Sequence, residues 1–443
     1  MMVLRSPYPH FDSQELWIIA TVWLALLGVI AKEVVGHSTI AFIGSYNFTW
    51  AEPALAAAIG AVVTSLASRP PRSNLASVAA IIFGALSVFG FLRGLLLDPF
   101  QSFFSLRGSG VFAATFLLVA FVPSSPRLVS ATSRAVGIAA AVLCLLVLLR
   151  LIFGISLFFQ ISPDPFIGFN DGERPLSAPG ALTIGAAATL LLSRALRVAG
   201  RGMSRSLLMF LLALICLVLS GQRTAIVAGM AGILIVLTLE AGPERQLRFL
   251  AGLCVVIGLT SAGWALSVAG ADLTSLTSVL PDAVARALER GEGNLNTRQL
   301  VWSALVEDIP HWSTVDQLVG LPAGTRPAIL IAAKRAYWEH SMHSMYFGAI
   351  PMVGFAGLFA WLASTAWIAS KGIALAIKSR SPMGVSPAVA AALSIMLAIF
   401  AYSYELRDAH GVFLMLAAGG IYCARLSPRS VKASERHRNE LNR

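Results

Sequence analysis

The sequence predicts an all-α, polytopic integral membrane protein of about twelve transmembrane helices, with one helical loop domain outside the membrane. Of its 443 residues, 57% are hydrophobic and 12% are charged, whereas about 25% of the residues of soluble domains are charged. Apolar runs of about 18 or more residues recur along the chain, and such runs are long enough to cross a bilayer as helices. The basic residues fall mostly in alternate short loops, which is typical of polytopic membrane proteins.

The apolar runs define the predicted spans in chain order. The second and fourth are short, and the seventh and eighth are separated by Ser220–Gln222, which indicates a tight reversal. The first run, from Leu16, is expected to act as an uncleaved first span. The twelve predicted spans are 16–35, 53–68, 75–97, 108–123, 135–158, 176–193, 203–221, 223–240, 247–268, 345–370, 386–404 and 409–425.

The charges of the loops predict the orientation of the spans. Arginines and lysines alternate with acidic loops, and basic loops lie on the cytoplasmic side of bacterial membrane proteins. We therefore expect a multi-pass protein of the bacterial inner membrane with both termini cytoplasmic. The predicted segments are membrane helices in 1–268, a periplasmic loop domain over 269–344, membrane helices in 345–426 and a basic cytoplasmic tail over 427–443.

The polar interval 269–344 is predicted to contain three amphipathic helices. The first begins near Pro281, and the second is capped by Thr297. Gly320–Gly324 is read as a turn, and a third helix is expected from about Pro327 to Glu339. The apolar stripe of the second helix comprises Leu300, Val301, Ala304 and Leu305.

The net charge of +11 does not indicate a nucleic-acid partner. A nucleic-acid-binding surface places basic residues on one face with interleaved aromatic residues, whereas here they follow the loops. The four cysteines, Cys144, Cys216, Cys254 and Cys423, lie in or beside apolar runs without metal-ligand spacing. They are interpreted as small core residues.

Three arginines at the predicted outer surface are candidates for binding an anion. Arg223 opens a span, Arg298 lies on an amphipathic helix, and Arg174 precedes the sixth span. A guanidinium beside helix-end amides suits a phosphate. The alternatives are a snorkelling interfacial residue for Arg223 and solvated surface residues for Arg298 and Arg174.

Two histidines, His340 and His343, lie where the polar interval meets the next span. Because imidazole titrates near neutral pH, either can serve as a base for a hydroxyl group. Their spacing is also found in metal pairs, but no third ligand is suitably spaced, so a zinc site is not expected. Gly354 and Gly357 follow, and close helix packing explains them better than substrate contact.

Three motifs in order resemble those of the bacterial O-antigen ligase and polysaccharide polymerase superfamily. The first is Ser-Gly-Gln-Arg223-Thr-Ala, at the opening of a span. The second is Arg298-x-x-x-Trp302, followed by Gly320-Leu-Pro-Ala-Gly324. The third is His343-Ser-Met-Tyr346-Phe347, followed by glycines. Together they cover roughly residues 220–360.

The resemblance implies a metal-independent, inverting glycosyltransferase of GT-C-like architecture that needs no cofactor. It would move a glycan from undecaprenyl diphosphate to an acceptor on the periplasmic face. Arg223, Arg298 and Arg174 would bind the diphosphate, and His343 or His340 would accept the proton of the acceptor hydroxyl. Tyr346 and Trp302 would contact substrate, and the partners would be the lipid-linked glycan, a glycan or lipid A-core acceptor, and membrane lipid.

Two departures from the family pattern bear on the activity. Ser344 stands where the family often has Asn, and Met352 where an acidic residue often precedes the first glycine. They favour a polymerase of lipopolysaccharide or other polysaccharide repeat units over an O-antigen ligase, which remains the alternative. A flippase or secondary transporter is the competing class. It is disfavoured because no repeat is visible, and Arg93 and Arg150 are the only charges inside apolar runs.

Overall fold

The computed structural model is that of a helical membrane protein. It describes residues 11–35, 39–43, 46–122, 125–153, 175–197, 201–241, 301–325, 328–331, 334–337, 344–378, 385–407 and 409–441. Within these residues, nine helices are long and apolar enough to cross a membrane. The predicted ninth span, 247–268, lies outside the described residues.

The helices and strands are numbered here in chain order. The first half comprises α1 (Ser13–Val35), β1 (Thr39–Ile43), β2 (Tyr46–Thr49), α2 (Ala51–Ser68), α3 (Leu75–Leu97), α4 (Pro99–Leu117), α5 (Pro126–Phe153), α6 (Ala178–Arg197), α7 (Arg201–Leu219) and α8 (Arg223–Glu240). The second half comprises α9 (301–308), α10 (Thr314–Val319), β3 (Ala328–Ile331), β4 (Lys334–Tyr337), α11 (Met345–Lys378), α12 (Pro387–Ala401) and α13 (His410–Leu441).

Most predicted spans coincide with a helix to within a few residues, but the predicted starts of the fourth and fifth spans were wrong, since α5 begins at Pro126 and not at residue 135. The sequence analysis began the fourth span at residue 108, whereas α4 begins at Pro99. Asp98 caps the helix by accepting a hydrogen bond from the Gln101 N–H at 3.0 Å, and Pro99 occupies the first turn. Both features favour a helix start. The less apolar residues 99–107 are therefore helical, and Arg107 lies within α4.

The predicted spans 386–404 and 409–425 correspond to α12 and α13. With 15 residues, α12 is about 22 Å long at a rise of about 1.5 Å per residue, which is less than the bilayer core of about 30 Å. Its N-cap is Ser386, whose Oγ accepts from the Val389 N–H at 3.2 Å. The helix α13 continues past the predicted boundary of the tail at residue 427 as far as Leu441.

The helices α6 and α12 are the most buried of those described in full: 14 of the 20 residues of α6 and 12 of the 15 residues of α12 are buried. Glycines allow α6 and α8 to approach closely, because a Cβ on Gly185 would lie 3.4 Å from the Cα of Gly229. Small residues at helix interfaces serve this purpose in membranes. Large apolar side chains on the outer helices, such as Leu96 and Ile152, are exposed, as expected for surfaces that face lipid.

Residues before β3 form a small hydrophobic cluster at one end of the bundle. Val301 and Leu305 of α9 are buried and pack with Trp312 and Phe347. With Ala304 packed against the same cluster, this confirms three members of the predicted apolar stripe, whereas Leu300 lies outside the described residues. The helix ends at the Ile309–His311 turn of 3-10 helix, which contains Pro310.

The predicted third helix, from about Pro327 to Glu339, is wrong. In its place β3 and β4 form an antiparallel hairpin in which Ala328 pairs with Tyr337 and Ile331 with Lys334. Alanine, lysine and arginine favour a helix, but strand pairing depends on the context of the neighbouring segment and overrides such local preferences. A second hairpin, β1–β2, connects α1 to α2, so short strands accompany an otherwise helical fold.

The helix α11 is interrupted at Gly354, which has a φ of 66°. One turn earlier, the carbonyl of Pro351 accepts a hydrogen bond at 2.8 Å from the N–H of Leu321. A Cβ on Gly354 would overlap the backbone of Leu318. The glycine therefore allows the chain from α10 to Gly324 to pack against the broken part of α11. This close approach agrees with the packing role predicted for Gly354.

Candidate functional site

A cavity of about 710 Å³ opens at the end of the bundle where α11 begins. Its walls come from α3, α4, the loop 321–325, the first two turns of α11 and the loop 405–407. Ligand pockets in proteins are typically about 300–1,000 Å³, so this cavity can hold a sizeable ligand. A second cavity, beside Lys32, is about 30 Å³, which is enough for water but not for a substrate.

The loop 321–325 is fixed in the cavity wall by hydrogen bonds to α3 and α4. The Ala323 N–H donates to the Gly90 carbonyl at 2.9 Å, and the Ser102 hydroxyl donates to the Ala323 carbonyl at 2.9 Å. The loop lies so close to α3 that a Cβ on Gly94 would overlap Ala323. The glycine face of α3 therefore sets the position of this wall.

An ion pair ties α10 to α3 beside the same loop. The Arg93 guanidinium donates to Asp316 Oδ1 at 2.5 Å and to the Gly320 carbonyl at 2.9 Å. Burial raises the pKa of Asp316, but hydrogen bonds from Arg93 and Ser313 and the charge of Arg93 outweigh it, so this pKa lies below its ordinary value. Arg93, predicted as a charge inside an apolar run, thus holds α10 and Gly320 against α3.

Two further arginines line the cavity, each beside a carboxylate. Arg107 of α4 has its Nε 2.9 Å from Glu52 Oε1, and its guanidinium carbon lies 4.5 Å from the centre of the Phe104 ring. The Nε of Arg407 donates to Glu405 Oε2 at 2.8 Å. Arg107, Glu405 and Arg407 all face the cavity, so its polar wall contains both signs of charge.

The start of α11 is joined to the turn before α8 through Tyr404. The Met345 N–H donates to the Tyr404 carbonyl at 3.1 Å, and the Tyr404 hydroxyl donates to Gln222 Oε1 at 3.1 Å. Gln222 also donates to the Leu176 carbonyl at 2.7 Å. Arg223 follows Gln222 as the exposed first residue of α8. The predicted Arg223 and Tyr346 segments therefore lie at the same end of the bundle.

The side chain of Trp302, a predicted substrate contact, is 8% exposed and packs between α11 and the segment after α12. Its ring stacks on Phe347 with centroids 4.7 Å apart, and Tyr402 meets it edge-on at 5.6 Å. These contacts join α9 to α11 and to the segment after α12. The structure thus brings the second and third sequence motifs together at Trp302 and Phe347.

The predicted Tyr346 lies in the first turn of α11. Its hydroxyl donates to the Ala398 carbonyl at 2.8 Å, and its ring meets Trp361 edge-on at 5.5 Å. The side chain thereby joins α11 to α12. Its neighbours Met345 and Gly348 line the cavity, so the turn that Tyr346 anchors is part of the cavity wall.

Four predicted site residues lie outside the described residues: His343, His340, Arg298 and Arg174. The two residues that depart from the family pattern, Ser344 and Met352, lie within the described residues. Ser344 is buried and its hydroxyl donates to the Ala401 carbonyl at 3.3 Å. Met352 lines the cavity. Glu405 supplies a carboxylate nearby, since a Cβ on Gly348 would lie 3.1 Å from Glu405 Oε1.

The sequence analysis missed Arg107, Glu405 and Arg407 as candidate site residues. Arg107 was placed before the fourth span, although Asp98-Pro99 is a helix-start signal that would have included it. Glu405 and Arg407 lie in the loop between α12 and α13, more than 290 residues from Arg107 in sequence. Their proximity is a consequence of helix packing, which no local pattern indicates.

Among the residues that the structure describes, no group of three or more His, Cys, Asp and Glu side chains is placed to hold a metal ion. The buried cysteines Cys144, Cys216 and Cys423 are free thiols. Comparison with protein-family models finds no match to the chain, and comparison with curated proteins finds no match either.

Proposed function

We propose that the protein is a membrane glycosyltransferase that moves a glycan from an undecaprenyl-diphosphate donor to an acceptor hydroxyl. The reaction would take place at the periplasmic face of a bacterial inner membrane. The observation that carries this proposal is the 710 Å³ cavity at the start of α11. The helix α11 begins at Met345, two residues after His343 in sequence. The three ordered motifs around Arg223, Trp302 and Tyr346 support the same activity.

The lining of the cavity suits a substrate that is part sugar and part lipid. Gln101, Arg107 and Glu405 provide hydrogen-bonding groups, and Phe91 and Phe104 provide aromatic surface. Ligand sites combine mostly apolar walls with a few polar groups that fix orientation. The competing flippase would bind the same lipid-linked glycan in such a cavity, so cleavage of the sugar–phosphate bond is what distinguishes the two activities.

In the proposed reaction, the acceptor oxygen attacks the anomeric carbon of the donor sugar. The bond from that carbon to the diphosphate oxygen breaks, and inversion of configuration follows from a single displacement. His343, or alternatively His340, takes the proton of the acceptor hydroxyl. Arg223, Arg298 and Arg174 hold the departing diphosphate through charge-assisted hydrogen bonds. These bonds strengthen as negative charge develops on the leaving group.

Turnover by the purified protein tests this proposal. The protein in detergent is given an undecaprenyl-diphosphate-linked glycan and candidate acceptors without added metal, and release of undecaprenyl diphosphate is measured. We expect His343→Ala to lower the rate by about 10² to 10⁴, the usual contribution of a general base. Arg298→Ala is expected to lower it as well. His311→Ala is the matched control, because His311 is an exposed histidine of the same outer segment.

The products distinguish the alternatives. A polymerase would lengthen the glycan on a second lipid-linked unit, whereas a ligase would transfer it to lipid A-core. A flippase would move a fluorescent donor across vesicles without breaking the sugar–phosphate bond. Wild-type turnover in both His343→Ala and Arg298→Ala would show that the site assignment is wrong.

A further inference from the structure

The cavity has an aromatic wall and a charged wall that meet at α4, where the Arg107 guanidinium carbon lies 4.5 Å from the centre of the Phe104 ring. Phe91, Phe100 and Phe104 belong to the first wall, and Phe100 is 48% exposed. Leu96, Leu97 and Phe103, close to Phe100 in sequence, are also exposed, so an apolar surface adjoins the aromatic wall. An amphiphile can therefore place its chain along the aromatic wall and its headgroup inside.

The charged wall is built around one glycine of α4. The Arg407 side chain crosses Gly108 so closely that a Cβ there would lie 3.0 Å from Cδ and 3.1 Å from Cβ of Arg407. Arg107, the residue before Gly108, lines the same cavity as Arg407. Residues 107 and 407 are far apart in sequence, so the fold itself assembles this pair.

Carboxylates orient both guanidinium groups. Glu52 lies 2.9 Å from Arg107 Nε, and both of these side chains are 18% exposed. Glu405 accepts from Arg407 Nε at 2.8 Å, and the Arg407 side chain remains 49% exposed. A guanidinium carries five N–H donors in a fixed fork, so a carboxylate on one edge fixes its plane. The exposed part of Arg407 then faces the cavity that it lines.

We propose that Arg107 and Arg407 bind the phosphate headgroup of a membrane amphiphile in this cavity. Guanidinium groups match phosphate oxygens in bidentate geometry, and the aromatic wall takes the first part of the hydrocarbon chain. Two sources supply this chemistry, an isoprenoid-linked phosphate and an ordinary phospholipid. The identification with the donor's own phosphate rests on the proposed function, whereas the binding of a lipid phosphate does not.

Binding of two lipids tests the inference without any turnover. Undecaprenyl phosphate and phosphatidylglycerol are titrated separately into the full chain in detergent, and bound lipid is counted by native mass spectrometry. We expect Arg107→Gln and Arg407→Gln each to weaken binding of undecaprenyl phosphate by about tenfold or more, because each removes a charge-assisted hydrogen bond. Arg407→Lys, which keeps the charge but loses the fork, is expected to give a smaller loss.

Two controls separate a site from general effects. Arg69→Gln removes an arginine that is 44% exposed and pairs with Asp12, and it is expected to bind like the wild type. The double variant Glu52→Gln/Arg107→Gln removes both charges of the Arg107 pair, so no carboxylate loses its counter-charge, and it is expected to lose binding like Arg107→Gln while keeping the wild-type unfolding temperature.

The outcomes are distinct. Tenfold losses with both lipids support a lipid-phosphate site, and losses restricted to undecaprenyl phosphate support a donor site as well. Wild-type binding in Arg107→Gln and Arg407→Gln, or an equal loss in Arg69→Gln, overturns the inference. If these variants lose binding but the protein releases no undecaprenyl diphosphate, the proposed function fails and the lipid site stands. If the protein releases undecaprenyl diphosphate and lipid binding is unchanged in the variants, the lipid site fails and the proposed function stands.

Discussion

At the scale of single residues, Glu33 and Arg150 form the most enclosed ion pair in the part of the chain that the structure describes. Their side chains are 1% and 5% exposed, and Arg150 NH1 donates to Glu33 Oε2 at 3.3 Å. Arg150 also donates to the Pro175 carbonyl at 2.5 Å, and Glu33 accepts from the Ser177 N–H at 2.9 Å. These bonds join α1, α5 and the start of α6, so the charge that the sequence analysis noted in an apolar run has a structural partner.

Removing one member of this pair is expected to destabilise the protein strongly. Arg150→Met leaves Glu33 buried without its counter-charge, and such changes cost about 3–5 kcal/mol. The double variant Glu33→Gln/Arg150→Met is expected to lose less, because neither charge is then left alone. The free energy of unfolding is measured by titration with SDS.

The matched control for this measurement is the exposed pair of Arg69 and Asp12, whose atoms lie 3.6 Å apart with side chains 44% and 52% exposed. Arg69→Gln is expected to change the free energy of unfolding by about 0–1 kcal/mol, since solvent weakens surface ion pairs. Equal effects of Arg150→Met and Arg69→Gln would contradict the structural role of the buried pair.

At the scale of elements, the break in α11 determines how α10 and the loop 321–325 pack against the bundle. The positive φ of Gly354 interrupts the helix. The chain after α10 packs against this interruption, and the Leu321 N–H donates a hydrogen bond to the Pro351 carbonyl. Arg93 holds the same chain from the side of α3. One wall of the cavity is therefore positioned by a helix break and an arginine rather than by the loop itself.

A single methyl group tests this arrangement. Gly354→Ala is expected to lower the unfolding temperature, because a left-handed backbone costs about 1–2 kcal/mol in a residue with a Cβ and the methyl group would overlap Leu318. Gly137→Ala in α5 is the control. A Cβ there meets nothing within 4 Å, and alanine favours a helix interior by about 0.5–1 kcal/mol. A higher or unchanged unfolding temperature in Gly354→Ala would show that the break is not required.

At the scale of the whole molecule, charged and polar groups gather at two ends of the bundle. At one end, the Arg72 guanidinium lies 3.6 Å from the centre of the Tyr422 ring, and Arg197 lies 3.7 Å from Glu240. The opposite end contains the Asp98 cap, the loop 321–325 and Tyr404. The loops predicted to be cytoplasmic thus lie at the first end, and the cavity is at the other.

Reporter fusions test the predicted orientation of these ends. Green fluorescent protein fused after Arg443 is expected to fluoresce, because the positive-inside rule places the basic tail in the cytoplasm. Alkaline phosphatase fused after Thr325 is expected to be active, since it folds in the periplasm. The opposite pair of results would invert the orientation and place the cavity on the cytoplasmic side.

Much of the fold follows from local sequence patterns. The predicted bounds 75–97 and 223–240 coincide with α3 and α8, because apolar length and polar flanks define a membrane helix without reference to its neighbours. The hairpin β3–β4 was not predicted, since strands depend on a partner. The same limit applies to the candidate site: the order of its motifs is visible in the sequence, but their contacts are not.

The sequence by itself determined that the chain is a helical membrane protein, where most of its helices lie and which loops share a charge. These properties depend on the transfer of each segment between water and lipid, which is a local quantity. The tertiary structure alone decided that Arg407 crosses Gly108 beside Arg107, that Arg150 meets Glu33 and that α11 breaks around the chain after α10. Such pairings depend on how helices pack, and packing joins residues whose separation in sequence carries no signal.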